Sequence, residues 1–582
     1  MPPRRLEGYV PMRLSALIAH DFRNLKGRIP LCDPLAVIVG ENNAGKSNVI
    51  DALRLLLEPE AGPRGRRWVS EDDFRHDGRG TPMADTFEIE AELQGLSDDE
   101  QARMVTCLAP SLGGDAARLR MRAQLRSTGR VDVEWFGGDS DHPDVERWAR
   151  DAVTFTYLHP LRDASADLRP GRDNRLVGLL ATLAPEGHDD RASIEKIATV
   201  ANEALDQVPA ILSARDGVQI RLAGMTGGGP FVQQTNLVFA DPRFDRIVAA
   251  LRAMAGRLEP LELTQNGLGY NNLLYMSVLL AALADPGEAA LRLLLVEEPE
   301  AHLHPQLQDL LMRFLEAESG NQTQVVVTSH SPNLASSAQV ERVTVMTQPD
   351  AEEPVVARAP RDFGMGDKQI RHLRRFLDVT KAALLFARGV ILVEGIAEQL
   401  LIPVIARRLE RPLPRDGVAV INIGGVAFDP FIELFSPDRL PYRVAVVSDG
   451  DPPGKPEPEE LEGGEPKLSP VASALLTRTS ENVRVSLADK TLEWDLAAAG
   501  NRDVLLKALR PIKPRVSTAL GRDHADSSPQ EWADALLEKV KDVKGPFAQE
   551  LADLLDDRIN GLTVPSYLED AIGWVTRAKT EG

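Results

Sequence analysis

Cysteine is nearly absent from this chain. Cys32 and Cys107 are its only two among 582 residues, and no CxxC or His/Cys cluster accompanies either. That excludes a disulfide framework and a structural zinc, and it fits a reducing cytoplasm. Long apolar runs are missing as well, since none reaches the roughly 18 residues that a membrane span needs. The opening MPPRRLEGYVPMRL has paired arginines with no apolar core behind them, so no signal peptide is expected. Positive charge is in deficit: the formal net charge is −20. This argues against a protein that coats DNA by charge, though it leaves room for a local basic groove. What is present is ordinary for a soluble globular protein, with 43% hydrophobic and 26% charged residues. The length suffices for several domains, and no repeat occurs at solenoid periods.

Basic clusters survive within the acidic balance. Arg64, Arg66 and Arg67 lie in a Gly/Pro loop. Arg118, Arg120 and Arg122 alternate and would share one face of a strand. Lys368, Arg371, Arg374 and Arg375 sit at helical spacing. Each reads first as a solvated face, with a DNA contact as the sharper alternative.

Residues 14–30 and 35–40 read as strands, and a helix is expected from about Ser47. Residues 86–94 and 118–126 alternate like antiparallel strands. Between about 165 and 260 the pattern turns helical, as an insertion would. Strands return at LRLLLVEE and QVVVTSH, and a second set, GVILVEG, VAVINIGG and YRVAVVSDGD, alternates with helices. That alternation implies a parallel α/β sheet. DPPGKPEPEELEGGEPKLSP reads as a loop, and the tail from about 500 as mostly helical.

Residues 40–47, GENNAGKS, match the phosphate-binding loop G-x-x-x-x-G-K-[ST] between an apolar strand and a helix. Gly40, Asn43 and Gly45 belong to the wrap of backbone N–H groups around phosphate. Lys46 would pair with the β/γ-phosphates and Ser47 would hold Mg²⁺. Far downstream, LRLLLVEE ends in two acids: Glu297 on the metal side and Glu298 as the base that activates water. VVVTSH places His330 to sense the γ-phosphate. These ordered motifs resemble the ABC-type ATPases of the SMC/RecF class, in which two heads sandwich ATP. The resemblance makes TQNGLGYNNLLY (264–275) the signature loop, with Gly267 and Gly269 presenting N–H groups to the γ-phosphate. Asn266 stands where such loops have serine, and Glu297 where many have Asp. Both departures leave binding intact and argue against fast hydrolysis.

LVEGIAEQLLIP (392–403) puts Glu394 at a strand end before a helix, with Glu398 one turn on. VAVVSDGD (444–451) puts Asp449 and Asp451 at another strand end, where alternation would turn both to one side. Together these resemble the Toprim domain of topoisomerases, primases and related nucleases. Glu493, in TLEWDLA, would reach the same edge after the strand NVRVSLA. Oxygen ligands suit Mg²⁺ or Mn²⁺ and not zinc. Two carboxylate groups could hold two metals for in-line phosphodiester hydrolysis, and Lys544 in VKGPFAQELA could stabilise transition-state charge.

The order of motifs resembles the OLD (overcoming lysogenisation defect) family: FRNLKG, GENNAGKS, YLHPLRDA, EEPEAHLHP, TSHSP, VEGIAE, SDGD, LEWDL and KGPFA. The resemblance implies an α/β chain. An ABC-type ATPase occupies 1–164 and 261–380, interrupted by a helical dimerisation insertion at 165–260. A Toprim domain with a helical tail occupies 381–582. It implies one metal on Glu394 and Glu398, another on Asp449, Asp451 and Glu493, and a catalytic Lys544. It further implies ATP with Mg²⁺, double-stranded DNA as substrate, a homodimer or higher oligomer, no membrane, and a role in antiphage defence. One branch, which includes the Gabija nuclease subunit, works beside a UvrD-like helicase, and KGPFA resembles that branch. Two other readings remain. A topoisomerase or primase would use the same Toprim acids but needs a placed tyrosine or zinc ligands. An ATP-gated clamp or sensor would bind DNA without cutting it, and ATP would either drive turnover or only select a conformation.

Overall fold

The computed structural model describes residues 11–576, apart from 33, 58–68, 78–79, 144, 151, 161–167, 169, 172–174, 227–233, 236, 239–240, 257–258, 260, 284–289, 321–322, 349–352, 451–467 and 558–560. Asp451, the arginines 64, 66 and 67, most of the acidic loop after it, and the end of YLHPLRDA therefore lie outside the described residues. The chain divides into two compact units. One is Met1–Ala152 with Pro305–Gly582, and the other is Val153–His304.

The first stretch supplies β1 (Arg13–Phe22), β2 (Leu25–Pro30), β3 (Leu35–Gly40), β4 (Thr86–Gln94), β5 (Ala117–Leu125) and β6 (Val131–Gly137). The second unit holds β7 (Val153–Leu158), β8 (Met254–Ala255), β9 (Leu261–Glu262) and β10 (Leu291–Glu297). The first unit resumes with β11 (Thr323–Ser329), β12 (Val343–Thr347), β13 (Val356–Arg358), β14 (Gly389–Val393), β15 (Val418–Asn422), β16 (Arg443–Ser448) and β17 (Val483–Leu487).

In the first unit, β2-β1-β4-β5-β6 form an antiparallel sheet. The register of β4 on β5 sets Glu88 opposite Arg122, Glu90 opposite Arg120 and Glu92 opposite Arg118. Arg122 Nη2 lies 2.8 Å from Glu88, and Arg118 Nε lies 2.8 Å from Glu90. The alternating arginines thus share one face, as their spacing predicts, and are paired there with the glutamates of β4. Cross-strand opposite charges support sheet pairing.

β3 is LAVIVG, buried at every position. Such a run needs cover on both faces, as a central parallel strand has. It lies between β11 and β12, parallel to both, with β13 antiparallel at the edge. Buried Gln324 joins this sheet to β1: its Oε1 accepts from Leu14 N and its Nε2 donates to Leu14 O, both at 2.8 Å. The third sheet runs β15-β14-β16-β17, all parallel. Its carboxyl ends therefore share one edge. The helices Ile396–Arg408 and Lys544–Asp556 share a core with this sheet, built from residues such as Ile391, Leu401, Ala445, Phe547 and Leu551. The alternating pattern fixed this sheet in advance, and the helical tail follows the sequence reading.

In the second unit β7 pairs parallel with β10, and β8 pairs antiparallel with β9. Its helices include Asp189–Leu205 and Pro209–Thr226. A small buried cluster of Ala184, Phe244 and Val248 lies in this unit. The unit begins before and ends after the helical insertion read from the sequence, because it takes in β7 and β10. Cys32 and Cys107 are free and buried. Among the described residues no helix is long and apolar enough to cross a membrane.

Candidate active site

The carboxyl edge of the third sheet collects the acids. β14 ends at Val393, and Glu394 follows at the turn into the helix Ile396–Arg408. β16 ends at Ser448, so Asp449 stands one residue beyond the strand. The sequence reading put the aspartate pair at the strand end; Asp449 stands just past the last ladder position, and Asp451 lies outside the described residues. Gly450 explains the exit. A Cβ on it would stand 2.3 Å from Ala488 O, so only glycine allows the ends of β16 and β17 to approach this closely.

Ser448 Oγ and Asp449 N both donate to Glu394 Oε1, the latter at 3.1 Å. Leu492 N donates to Asp449 Oδ1 at 3.3 Å. Glu493 lies in the first turn of the helix Leu492–Ala498, which Thr491 caps through Trp494 N. It is 2% exposed. Lys544, at the start of its helix, brings Nζ within 3.0 Å of Glu493 Oε2 and 3.9 Å of Asp449 Oδ2. Glu398 is buried on the facing helix. The structure therefore brings Asp449, Glu493 and Lys544 together, with Glu394 tied to the Asp449 backbone.

Burial pushes the Asp449 carboxyl up to about 8, with repulsion from Glu398, Glu394 and Glu493 adding to it and Lys544 opposing. Glu398 is raised chiefly by burial, with Glu493 and Glu394 as further causes. For Lys544, burial works against the charge, but the carboxylates of Glu493 and Asp449 outweigh it and hold the ammonium above its ordinary range. Asp449 and Glu493 thus share one ammonium, with Glu394 and Glu398 adding negative charge beside them. Such a donor set fits a hard, oxygen-liganded cation. As they stand, no three His, Cys, Asp or Glu side chains among the described residues are grouped to hold one ion.

Two residues went unread in the sequence. Ser448 orients Glu394. Asp495 accepts from Asp489 N at 2.9 Å and so pins the loop that leads into Glu493. Burial raises the Asp495 carboxyl to about 7. Both stood inside quoted motifs, SDGD and LEWDL, but strand-end serines and helix-start aspartates are common for purely local reasons.

The phosphate loop is built as its motif requires. Gly40 (φ +152°) and Gly45 (φ +79°) both have left-handed backbone, and a Cβ would stand 2.3 Å from Met346 O at the first and 2.7 Å from Asn24 Oδ1 at the second. Asn43 is left-handed as well, with φ +66°. Lys46 and Ser47 open the helix Lys46–Leu57, and Lys46 Nζ donates to Gly40 O and Glu41 O at 2.9 and 2.8 Å. Asn24 Nδ2 donates to Asn43 O at 3.2 Å. Arg23 binds buried Asp73 at 3.0 Å. Arg23 and Asn24 border a cavity of about 540 Å³ that also meets Phe74 and His76. FRNLKG was the signal for Arg23 and Asn24. His330 is exposed just beyond β11 in the same unit. Glu41 also pairs with Arg388 at 2.7 Å, the residue just before β14.

The second unit holds the other nucleotide motifs. β10 ends at buried Glu297, whose Oε2 accepts from Tyr157 Oη at 2.6 Å. Glu298 adopts φ +43°, in a turn closed by Ala301 N on its carbonyl. Asn266 Nδ2 donates to Ala255 O at 2.7 Å, which gives that position a structural task in place of the usual serine's. Gly267 precedes the helix Leu268–Leu283 and Gly269 lies in its first turn. A Cβ on Gly269 would stand 2.7 Å from His302 O, so packing alone demands glycine there.

Family models match three stretches of the chain. The model "Overcoming lysogenization defect protein-like, TOPRIM domain" matches residues 385–451. "AAA ATPase domain" matches 198–335, and "AAA domain, putative AbiEii toxin, Type IV TA system" matches 35–98. Among curated relatives, the uncharacterized protein YbjD of Escherichia coli K12 is 25% identical over 75% of this chain and 79% of its own. The OLD nuclease of Thermus scotoductus is 24% identical over 71% of this chain and 78% of its own. The endonuclease GajA of Bacillus cereus HuB5-5 is 20% identical over 55% and 54%. These matches define an α/β chain with an ATPase domain followed by a Toprim domain. The chain is similar to OLD nucleases along most of its length and carries the OLD-like Toprim match in its C-terminal part.

Proposed function

We propose that this chain is an ATP-binding, divalent-metal-dependent DNA endonuclease. The observation that carries this reading is the acidic edge itself, where Asp449, Glu493 and Lys544 meet with Glu394 and Glu398 beside them. Relatives named as an OLD nuclease and an endonuclease support it. Mg²⁺ or Mn²⁺ would be held by Glu394 and Glu398 on one side and by Asp449, Asp451 and Glu493 on the other. Bound there, the ions supply Lewis-acid chemistry to water and to phosphate oxygen. Ser448 holds the Glu394 carboxylate in place. Lys544 keeps a fixed positive charge where negative charge builds on the phosphoryl group, a role that preorganised cations fill in other phosphoryl sites. Water's oxygen forms the new bond to phosphorus, and one bridging P–O bond breaks.

ATP would bind at the phosphate loop, with Lys46 on its phosphates and Ser47 on Mg²⁺. Glu297, Glu298, His330, Gly267 and Gly269 keep the roles their motifs give them. The exposed apolar side chains of Ile197, Val200, Ile220 and Met225 support a homodimer formed through the 165–260 segment. Work in antiphage defence, a helicase partner and a cytoplasmic setting follow from the family reading.

The test is supercoiled plasmid with Mg²⁺ or Mn²⁺, with and without ATP, beside Asp449→Ala. Nicked and linear products from the wild type that vanish in the variant are expected. A wild type that binds DNA but never cuts it would turn the reading to an ATP-gated clamp, and a trapped covalent protein–DNA species would turn it to a topoisomerase.

A further inference from the structure

The basic helix that the catalytic reading left unused forms one wall of a cleft. The helix Asp367–Phe376 packs beside residues 427–430, and a cavity of about 430 Å³ opens between them. Lys368, Arg371 and Arg375 line it. Among the described residues none of the three has an ion pair or hydrogen bond. Arg374 turns away to Glu341. The acid lining the cleft, Asp429, is already matched by Arg478 at 3.0 Å. In a chain of net charge −20, where the arginines of β5 are paired by their own sheet, three unpaired cations around one cavity mark a site for an anion.

The cleft also has an aromatic floor. His372 stacks on Phe376 with ring centroids 4.3 Å apart at 26°, and Phe431 braces His372 edge-on at 6.0 Å. Phe376 is 45% exposed. Cations for a phosphate chain beside an exposed ring face are the parts of a single-strand nucleic-acid site, because an unpaired base offers a face to stack. A duplex keeps its base faces covered and offers only groove edges.

Its position ties the cleft to the acids. Ala427 lies two residues after Gly425, whose N–H donates to Glu394 O at 3.0 Å. The cleft wall thus continues the loop that is bonded to the sheet edge carrying Glu394. We propose that this cleft holds an unpaired stretch of DNA next to the phosphate to be cut, with Lys368, Arg371 and Arg375 on its backbone and Phe376 stacked on a base. This rests on DNA being the substrate of the Toprim edge.

The test is fluorescence anisotropy of the full chain in EDTA, so that binding is read without cleavage. The probes are a short single strand, a blunt duplex, and the same duplex with a single-stranded tail. The wild type is expected to favour the tailed duplex over the blunt one. Phe376→Ala should weaken tailed and single-strand binding about tenfold and leave the blunt duplex unchanged. Arg371→Gln with Arg375→Gln should lower the salt slope of single-strand binding by about 1.4, at roughly 0.7 per phosphate contact. Equal wild-type binding to tailed and blunt duplexes, or variants that match the wild type on every probe, would overturn the proposal. So would tighter binding to an RNA strand of the same sequence. Failure of the nuclease reading shows separately, as an uncut plasmid with tail preference intact.

Discussion

Lys544 sets the charge balance of the acidic edge. Its ammonium lies 3.0 Å from Glu493, a side chain 2% exposed. Removing one partner of such a pair leaves an uncompensated buried charge. Lys544→Met is therefore expected to lower the melting temperature of the metal-free protein, with Mn²⁺ restoring part of the loss, and to cut plasmid cleavage about a hundredfold or more at saturating metal. Melting curves with and without Mn²⁺ check the first part; unchanged curves and unchanged cleavage would remove Lys544 from the site. Asp449 gives a second expectation. Burial holds its carboxyl near 8, and a metal ligand must be deprotonated. Metal affinity should then climb with pH by up to roughly tenfold per unit below that value and level above it. Calorimetry in two buffers of different ionisation heat would show the released proton, and a flat affinity across this range would refute it. Glu394, Asp449, Glu493 and Lys544 were legible because each sits in a motif whose neighbours are also distinctive. Ser448 and Asp495 were not, since their partners, the Glu394 carboxylate and the Asp489 amide, are contacts that a residue pattern does not encode.

Elements show the same division. LAVIVG and GVILV became fully buried parallel strands because a continuous apolar run allows little else between covered faces. The fate of β5 was hidden. Its alternation put three arginines on one face, but only the register against β4 showed that three glutamates meet them, and pairing partners are not written in either strand alone. Glu90, within that ladder, is raised to about 6 by burial, with Arg118 and Arg120 opposing. A raised carboxyl favours the fold while protonated, so its contribution is full below its unfolded value near 4.5 and is lost as pH rises through 6. The stability of Glu90→Gln relative to the wild type should accordingly improve as pH rises across that window, measured by denaturant melts at several pH values. A constant difference would show that Glu90 does not titrate there. At the end of β16, Gly450→Ala meets Ala488 O. It should cost about 1–3 kcal/mol and displace Asp449, so cleavage should fall further than stability does.

For the whole molecule, the question is what covers the second unit. Ile197 is 69% exposed, Ile220 71% and Met225 78%, on helices of the unit Val153–His304. A sequence shows that such helices have apolar residues but not whether their own chain or another copy buries them. If a second copy does, Ile197→Glu with Ile220→Glu should convert a dimer to monomer in sedimentation, with the monomer folded, because neither side chain is part of a core. Salt sharpens the test. Two chains of net charge −20 repel, and added salt screens that repulsion over a Debye length of about 8–10 Å, so the apolar dimer should tighten as salt rises. DNA binding runs the other way, since each neutralised phosphate releases counterions and affinity falls with salt. The two affinities should therefore move in opposite directions across one salt series. A wild type that is monomeric at every salt would leave these helices without a partner copy, and a dimer that loosens with salt would show that its interface is built from charge rather than from Ile197 and Ile220.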